Sequence, residues 1–322
     1  MAKALNSSAE TARRNWIIAG VGVCLIATVT LVAFAMTRGS TDEASLTRST
    51  LTPAATLAPA PGPTVEPSAA PAAASAVPPT RLISALDADT AWRTVTGECP
   101  TSEAALERTD DRGATWEPFS IFPDTDARSV SVLQAADSDF IYIVGQRGSD
   151  CSPMWVGTFT GGDDWREFPT QLPDTWYVDD SDRSVIYAPG GASTVVCESV
   201  ASLAVTSSTE AAALCNDQTL FRTGDGGSTW DAALPVPGAV SLDNSDAGYV
   251  VALLAQPECA GIQIREVGLS AADDDSTAPL GCLQLEQSQI DAGTPAVSFA
   301  DGALWLWAGD TVRTSLDAGV TW

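Results

Sequence analysis

The chain has 322 residues, of which 16 are Lys or Arg and 41 are Asp or Glu, so its formal net charge is −25. Nucleic-acid binders neutralise phosphates with clustered basic side chains, so this charge argues against nucleic acid as a partner. Histidine is absent, and Lys3 is the only lysine. The chain therefore cannot build His-based catalytic triads, His-ligated zinc, a Schiff base in its folded part or a P-loop, and the sequence predicts neither a cofactor nor a metal.

The first element is an apolar run from Trp16 to Met36 that contains no charged residue. A run of about 20 apolar residues is long enough to cross a bilayer as a helix, and an excess of basic residues before it favours a cytoplasmic N-terminus. We therefore predict a cytoplasmic tail at residues 1–15 and a transmembrane helix at residues 16–37, in a single-pass protein of the cell membrane. A cleaved signal peptide is the alternative, because Ala33-Phe34-Ala35 matches the small-x-small cleavage pattern.

Residues 38–80 are rich in Pro, Ala, Thr and Ser and contain few large apolar side chains. Such a composition cannot offset the entropy of ordering the backbone, so this segment is predicted to be a disordered linker. A Pro-rich recognition motif is the alternative, although no basic residue lies between Ser49 and Thr80 to orient a partner.

Residues 81–322 are expected to form the folded, extracytoplasmic domain, with 11 arginines against 37 acidic residues and a net charge of −26. An even number of cysteines in an oxidising compartment predicts three disulfide bonds, for which fifteen pairings exist. We favour pairing in sequence order, because the second and third pairs are then close enough to bridge neighbouring strands. A redox or metal site is the alternative, without a CxxC motif to support it. The six cysteines are Cys99, Cys151, Cys197, Cys215, Cys259 and Cys282.

An eight-residue motif, Ser/Thr-x-Asp-x-Gly-x-Thr-Trp, recurs in the folded part, and we call its copies the octets. Three copies match in full, at Thr109–Trp116, Thr223–Trp230 and Ser315–Trp322, and a degenerate copy at Thr158–Trp165 keeps the Gly and Trp. The tryptophan spacings of 49, 65 and 92 residues imply another copy near residue 276, where Ser270–Thr277 is an eroded candidate. The candidate structural residues of the octets are Asp111, Gly113, Trp116, Gly162, Trp165, Asp225, Gly227, Trp230, Asp317, Gly319 and Trp322.

Each recurring residue type in the octet has a physical task in a tight hairpin. Glycine supplies a position with positive φ, and the Asp carboxylate accepts hydrogen bonds from exposed turn amides. Tryptophan then opens the next strand and buries a large ring against the sheet. The octet is therefore interpreted as a hairpin staple and not as an active site.

Segments of strand length precede the octets, including Phe140–Val144, Tyr249–Leu254 and Leu304–Trp307. Four short strands can be placed between Ser129 and Phe168, within a repeat of about 48 residues, which is the pattern of a propeller blade. The predicted fold class is all-β, a β-propeller of about five four-stranded blades. The last blade either is completed by residues near Arg81–Ala85 or keeps three strands.

With these octets in their strand context, the sequence resembles the Asp-box (BNR) repeat propellers. That superfamily includes sialidases, the sortilin-type receptor domain and the photosystem II assembly factor-like propellers. The resemblance covers nearly all of residues 81–322. It implies a propeller in which the octets lie away from the ligand face, and it indicates function only weakly.

Sialidase activity, as the resemblance implies it, needs an arginine triad, a Tyr assisted by Glu, and an acidic Asp. The arginines here are scattered singly, no Arg-Ile-Pro motif precedes the first octet, and the tyrosines lie mostly in apolar runs where core packing is favoured. The four candidate tyrosines are Tyr142, Tyr177, Tyr187 and Tyr249.

Two further features have a functional and a structural interpretation. The acidic runs at residues 179–182 and 273–275 could supply oxygen ligands for calcium, but solvated turns are favoured. Trp176 and Tyr177 are candidate aromatics of a ligand face, although core or rim packing is favoured.

The sequence therefore predicts a non-catalytic binding or assembly propeller, anchored in the membrane and displayed outside it. Its expected partner is an envelope protein or a glycan. A sialidase-like glycoside hydrolase is the alternative.

Overall fold

The computed structural model describes residues 75–270, 279–286, 290, 291, 293 and 295–322. Within these residues the chain forms six antiparallel sheets, and each strand pairs with the strands next to it in sequence. We number the sheets as blades 1 to 6 in chain order.

Blades 1 and 2 each have four strands, and a one-turn helix, α1 (Phe122–Thr125), connects them. Blade 1 contains β1 (Arg81–Ala85), β2 (Ala91–Val95), β3 (Ala105–Thr109) and β4 (Glu117–Ser120). Blade 2 contains β5 (Ala127–Ala135), β6 (Ile141–Arg147), β7 (Ser152–Thr158) and β8 (Arg166–Glu167).

Blade 3 has three strands and is preceded by a 3₁₀ turn at Leu172–Asp174, whereas blade 4 has four strands. Blade 3 contains β9 (Tyr177–Val178), β10 (Val185–Ala188) and β11 (Ala192–Val195). Blade 4 contains β12 (Val200–Val205), β13 (Ala211–Cys215), β14 (Thr219–Thr223) and β15 (Leu234–Pro235).

Blade 5 has four strands, and blade 6 has three within the described residues. Blade 5 contains β16 (Ala239–Asn244), β17 (Gly248–Leu253), β18 (Gly261–Gly268) and β19 (Pro279–Gln284). Blade 6 contains β20 (Ala296–Ala300), β21 (Ala303–Ala308) and β22 (Thr311–Ser315).

The first strands of the six blades form a ring. Each of β1, β5, β9, β12, β16 and β20 contacts the first strand of the next blade, and β20 contacts β1. The second strands of blades 5 and 6, β17 and β21, are buried along their whole length. Neighbouring blades cover both faces of these strands, which explains why their sequences are continuous apolar runs and do not alternate.

Side-chain packing closes the ring between blades 6 and 1, without exchange of a strand. Trp305 of β21 is fully buried, and its Nε1 donates to the Asp87 carbonyl, 2.8 Å away, in the β1–β2 hairpin. Ile83 and Ala91 of blade 1 lie in the same hydrophobic cluster as Trp305. The strand β1 pairs with β2 and not with the last blade, so blade 6 keeps three strands in the described residues.

The propeller fold is confirmed, but the prediction of five blades is wrong, because the structure has six. The first strands begin at residues 81, 127, 177, 200, 239 and 296, so blade 3 and its exit loop take only 23 residues. This short blade carries no octet, and dividing the chain by the octet spacing therefore missed it. Of the eroded octet candidate Ser270–Thr277, residues 271–277 lie outside the described residues.

The predicted single-pass membrane location is not supported and is corrected here. Among the described residues, helical segments span four residues at α1 and three at the 3₁₀ turn, and none is long and apolar enough to cross a bilayer. The tail predicted at residues 1–15, the helix at 16–37 and the linker up to residue 74 lie outside the described residues. The last residues of the predicted linker contact the propeller, since Ala76 is buried and its amide donates to the Asn216 carbonyl.

Candidate functional site

The octets occupy one end of the blades, which we call the octet face. In blades 1, 2 and 4 each octet joins the third strand to the fourth, and in blade 6 it follows the third strand. The octets also contact the hairpin between the first two strands of their own blade. The Arg112 amide, for example, donates to the Asp89 carbonyl at 3.0 Å, and the Gly226 amide donates to the Thr209 carbonyl at 2.9 Å.

In each full octet the carboxylate binds the residues at both ends of the turn. Asp225 accepts from the Thr223 hydroxyl at 3.0 Å, from the Thr229 amide at 2.8 Å and from the Thr229 hydroxyl at 2.7 Å. The Gly227 amide donates to the Thr223 hydroxyl at 3.0 Å. The octets of Asp111 and Asp317 repeat the same set of bonds.

These hydrogen bonds favour the ionised carboxylates. Bonds from Thr115 and Thr109 lower the pKa of Asp111 to about 2, and bonds from the equivalent residues lower the pKa of Asp225 and Asp317. A carboxylate with so low a pKa holds no proton near neutral pH. The geometry therefore gives the octet Asp residues a structural task.

The degenerate octet of blade 2 keeps the turn with a hydroxyl in place of the carboxylate. The Thr160 hydroxyl lies 3.2 Å from the Thr158 hydroxyl and accepts from the Asp164 amide at 3.0 Å. The Gly162 amide donates to the Thr158 hydroxyl at 3.1 Å, as in the full octets. Hydrogen bonding within this turn therefore survives the loss of the Asp.

Each octet glycine lies against the preceding blade. A Cβ on Gly113 would contact Val312 of blade 6, and one on Gly319 would contact Ile264 of blade 5. A Cβ on Gly227 would contact Trp176 of blade 3. The backbone at these glycines has positive φ, so the residue serves both the turn and the close approach of two blades.

The octet tryptophans stay within the wall of the propeller. Trp116 donates from Nε1 to the Gly113 carbonyl at 3.1 Å, and the Arg93 guanidinium lies 3.9 Å from its ring centroid. Trp165 is buried, and Trp322 packs on the core between blades 5 and 6. Trp230 donates to the Thr194 hydroxyl of blade 3 at 3.3 Å.

The three expected disulfide bonds are present, and they lie at the opposite end of the blades, which we call the disulfide face. Cys99–Cys151 joins the loops that follow the second strands of blades 1 and 2. Cys197–Cys215 joins blade 3 to blade 4, and Cys259–Cys282 lies within blade 5. The pairs follow sequence order.

The first strands surround a central channel with a cavity of about 340 Å³. Serine side chains of these strands hydrogen-bond to the next blade and hold the ring together. Ser298 accepts from the Ala85 amide at 3.0 Å, Ser84 accepts from the Ala135 amide at 2.9 Å, and Ser241 accepts from the Val297 amide at 3.3 Å. These links join blades 6 to 1, 1 to 2 and 5 to 6.

Blade 3 meets its neighbours differently, because β9 runs in the opposite direction to the other first strands. Trp176, just before β9, donates from Nε1 to the Ser207 carbonyl beyond the end of β12. Arg183, in the hairpin after β9, donates to the Val200 carbonyl at the start of β12, 2.8 Å away. Elsewhere the first strands run in one direction, as the parallel contacts of β16 with β20 show. The strands β9, β10 and β11 thus run in the directions of the second, third and fourth strands of a regular blade. Although β9 is the first strand of blade 3 in the sequence, the blade lacks a strand that corresponds to the first strand of the other blades.

The two candidate aromatics lie beside this irregular blade. Trp176 is buried and lines the channel. Tyr177 stacks on Tyr187 with ring centroids 4.7 Å apart, and burial raises its pKa to about 12. The acidic run at residues 179–182 forms the hairpin between β9 and β10, where Asp179 accepts from two backbone amides of that turn.

Sequence reasoning missed two charged residues that line the channel. Arg183 has an ion pair with Asp180 at 3.5 Å and is held against β12 by its carbonyl contacts. Asp243 accepts from the Phe299 amide at 3.0 Å, and burial raises its pKa to about 6. Both positions depend on contacts between blades, and the only sequence signal for the irregular blade is the Gly190-Gly191 turn at the octet face.

The sialidase constellation is not brought together among the described residues that line the channel. Arg81 donates to the Gly309 carbonyl and lies over the Trp307 ring, and Arg183 is paired as described. Tyr142 stacks on Trp155 at 5.0 Å, and the described lining of the channel contains no Glu.

No family model matches this chain, and no curated protein sequence matches it. Several solved structures are similar. YCF48 bound to D1 peptide has 21% identity over 76% of this chain and 64% of that chain, with a TM-score of 0.27. The GH74 enzyme of Niastella koreensis has 10% identity over 74% and 45%, with a TM-score of 0.38. YCF48 from Cyanidioschyzon merolae has 15% identity over 78% and 85%, with a TM-score of 0.27. The chain thus spans less than two thirds of the first two proteins, and we base function on the geometry of this chain alone.

Proposed function

We propose that this protein is a non-catalytic binding propeller that holds a segment of a partner protein in its central channel. The observation that carries the proposal is the channel itself. It has a volume of about 340 Å³, it is lined by polar and apolar residues of the first strands, and at blade 3 its wall is formed by Trp176 and the short strand β9.

The lining favours binding over catalysis. Its arginines are held by carbonyl, aromatic or carboxylate contacts, and the octet carboxylates lie in turns outside the channel. A polypeptide also fits the chemistry better than an anionic glycan, because residues 81–322 carry a net charge of −26.

The test is a comparison of ligand classes on the purified full chain. Arrays of linear peptides and of glycans would be probed in parallel, and turnover of fluorogenic glycosides would be measured in the same preparation. We expect saturable binding to a subset of peptides. Peptide arrays without signal, together with turnover that Tyr142→Phe abolishes, would contradict the proposal and support the hydrolase.

A further inference from the structure

Blade 3 leaves the position of a first strand open beside the channel. The first strands on either side, β5 and β12, run in the same direction, whereas β9 between them runs in the opposite one. We propose that an extended segment of the partner protein adds to β9 as the missing first strand of blade 3. This inference rests on the proposed function and names the site and the form of the ligand.

The backbone of β9 has an edge ready for such pairing. Among the described strands, β9 pairs only with β10. The Asp179 amide donates to the Val185 carbonyl at 3.0 Å, and Tyr177 lies opposite Tyr187 in the same register. Because successive residues of a strand direct their backbone groups to opposite sides, the amide and carbonyl of Val178 are directed away from β10, towards the channel. An added strand would pair with these groups, as in other cases of strand addition.

The hydrophobic packing between blades is also incomplete at this place. Clusters of buried apolar side chains lie between every other pair of neighbouring blades, but the described residues form none between blades 2 and 3. Instead, Asp180 of the β9–β10 hairpin reaches Ser131 of β5, and Tyr142 of blade 2 lines the open channel. Alternate apolar side chains of an added strand would supply the missing contacts with blade 2.

The direction of the added strand follows from its partner strand. It would run antiparallel to β9 and hence parallel to β5 and β12, with its C-terminal end at the octet face. Asp174, which is exposed, and Asp243 line the channel towards that face, and Asp246 and Asp301 line an adjoining cavity of about 310 Å³. Opposite charges attract across an interface, so the segment is expected to carry basic residues at its C-terminal end.

The composition of this chain's own N-terminal segment argues against it as the occupant. Eight prolines lie between Pro53 and Pro79, and proline has no amide hydrogen to donate to a neighbouring strand. No Lys or Arg lies between Ser49 and Thr80 to pair with the acidic residues of the channel at the octet face. A segment of a different protein can supply both the backbone amides for pairing and the basic residues.

The first experiment selects linear peptides from a displayed library on the purified full chain and measures their affinity by calorimetry. Ser202→Trp fills the channel from β12, and Val195→Trp places the same side chain on the exposed outer strand of blade 3. We expect Ser202→Trp to weaken binding at least tenfold and Val195→Trp to leave it unchanged. If peptides bind both variants as they bind the wild type, the protein binds peptides elsewhere, and the strand-addition site is wrong while the proposed function stands. If the library yields no binding peptide, both fail.

The second experiment tests the direction of the strand without disturbing the core. Asp174→Lys and Asp163→Lys change the net charge equally, and both residues are exposed, but only Asp174 lines the channel. We expect Asp174→Lys to weaken selected peptides at least about threefold more than Asp163→Lys, and the difference to vanish when the basic C-terminal residues of the peptide are replaced by Ala. Equal effects of the two variants would contradict the proposed direction.

The third experiment tests backbone pairing directly. A strand uses the amides of alternate residues towards one neighbour, so N-methylation along a selected peptide should abolish binding at every second position. A pattern without this alternation would overturn strand addition. Displacement of the selected peptides by a synthetic peptide of residues 38–74 at equal affinity would overturn the assignment to a partner protein.

Discussion

Replacement of Gly162 by Ala tests whether the octet turn is packed against the neighbouring blade. Gly162 has a φ of +108°, and a Cβ there would lie 2.8 and 2.9 Å from ring carbons of Phe119 and 2.9 Å from Trp92. Trp92 is fully buried and packs against Trp165, so it cannot move aside freely. The substitution therefore adds a steric clash between blades to the strain of a positive φ.

Gly226, at the fourth position of another octet, provides a control with a positive φ and open space around it. It has a φ of +72°, and a Cβ there would have no heavy atom within 4 Å. An Ala in the left-handed region, where Gly226 lies, bears a backbone strain of about 1–2 kcal/mol, and Gly162→Ala bears at least as much. Overpacking adds about 1–3 kcal/mol at Gly162 alone. At about 3 °C per kcal/mol for a domain of this size, Gly162→Ala should melt roughly 3–9 °C below Gly226→Ala.

The assay is thermal unfolding followed by circular dichroism, with urea unfolding as a second measure of the free energy. Both variants should keep the far-ultraviolet spectrum of the wild type below the transition. Equal melting temperatures for the two variants would show that Gly162 is not packed tightly against blade 1, and the account of the octet glycine as a site of close approach between two blades would be refuted.

Three further predictions concern stability. Replacing the Cys99–Cys151 pair by serines opens a span of 52 residues and should lower the free energy of unfolding by about 4 kcal/mol. The same change at the Cys197–Cys215 pair, which spans 18 residues, should lower it by about 3 kcal/mol. Urea unfolding measures both losses, and the reverse order would contradict the loop-closure argument. Burial raises the pKa of Asp243 from 3.8 to about 6, so the folded state binds this proton more tightly than the unfolded state. The free energy of unfolding should therefore increase by up to about 3 kcal/mol as the pH falls from 7 to 4, because Asp243 becomes protonated in the folded state. Asp243→Asn should remove this increase. If the pH profile of unfolding is the same in the variant and the wild type, this role of Asp243 is wrong. Hydrogen bonds lower the pKa of Asp225, so its contribution is lost as the pH falls below about 4. Asp225→Asn should therefore reduce the loss of stability below about pH 4. An unchanged loss of stability in this variant would contradict the role of the Asp225 carboxylate in stabilising the octet turn.

The octets made the propeller predictable, because each carries its turn geometry in eight consecutive residues. The blade count was not predictable from them, since blade 3 carries no octet and compresses three strands into residues 177–195. The reversed direction of β9 and the position of the buried Asp243 carboxyl beside the channel depend on contacts between residues far apart in sequence. The channel site therefore required the arrangement of the blades, whereas the short spacing within the second and third cysteine pairs already favoured the pairing in sequence order that the structure has.

Amide hydrogen exchange at Val178, measured residue by residue with and without a selected peptide, tests strand addition most directly. The Val178 amide faces the open edge of β9, whereas the Asp179 amide already donates to the Val185 carbonyl. We predict that saturation with peptide slows exchange at Val178 at least tenfold and changes it little at Asp179. Unchanged exchange at Val178 in a fully bound complex would contradict the account.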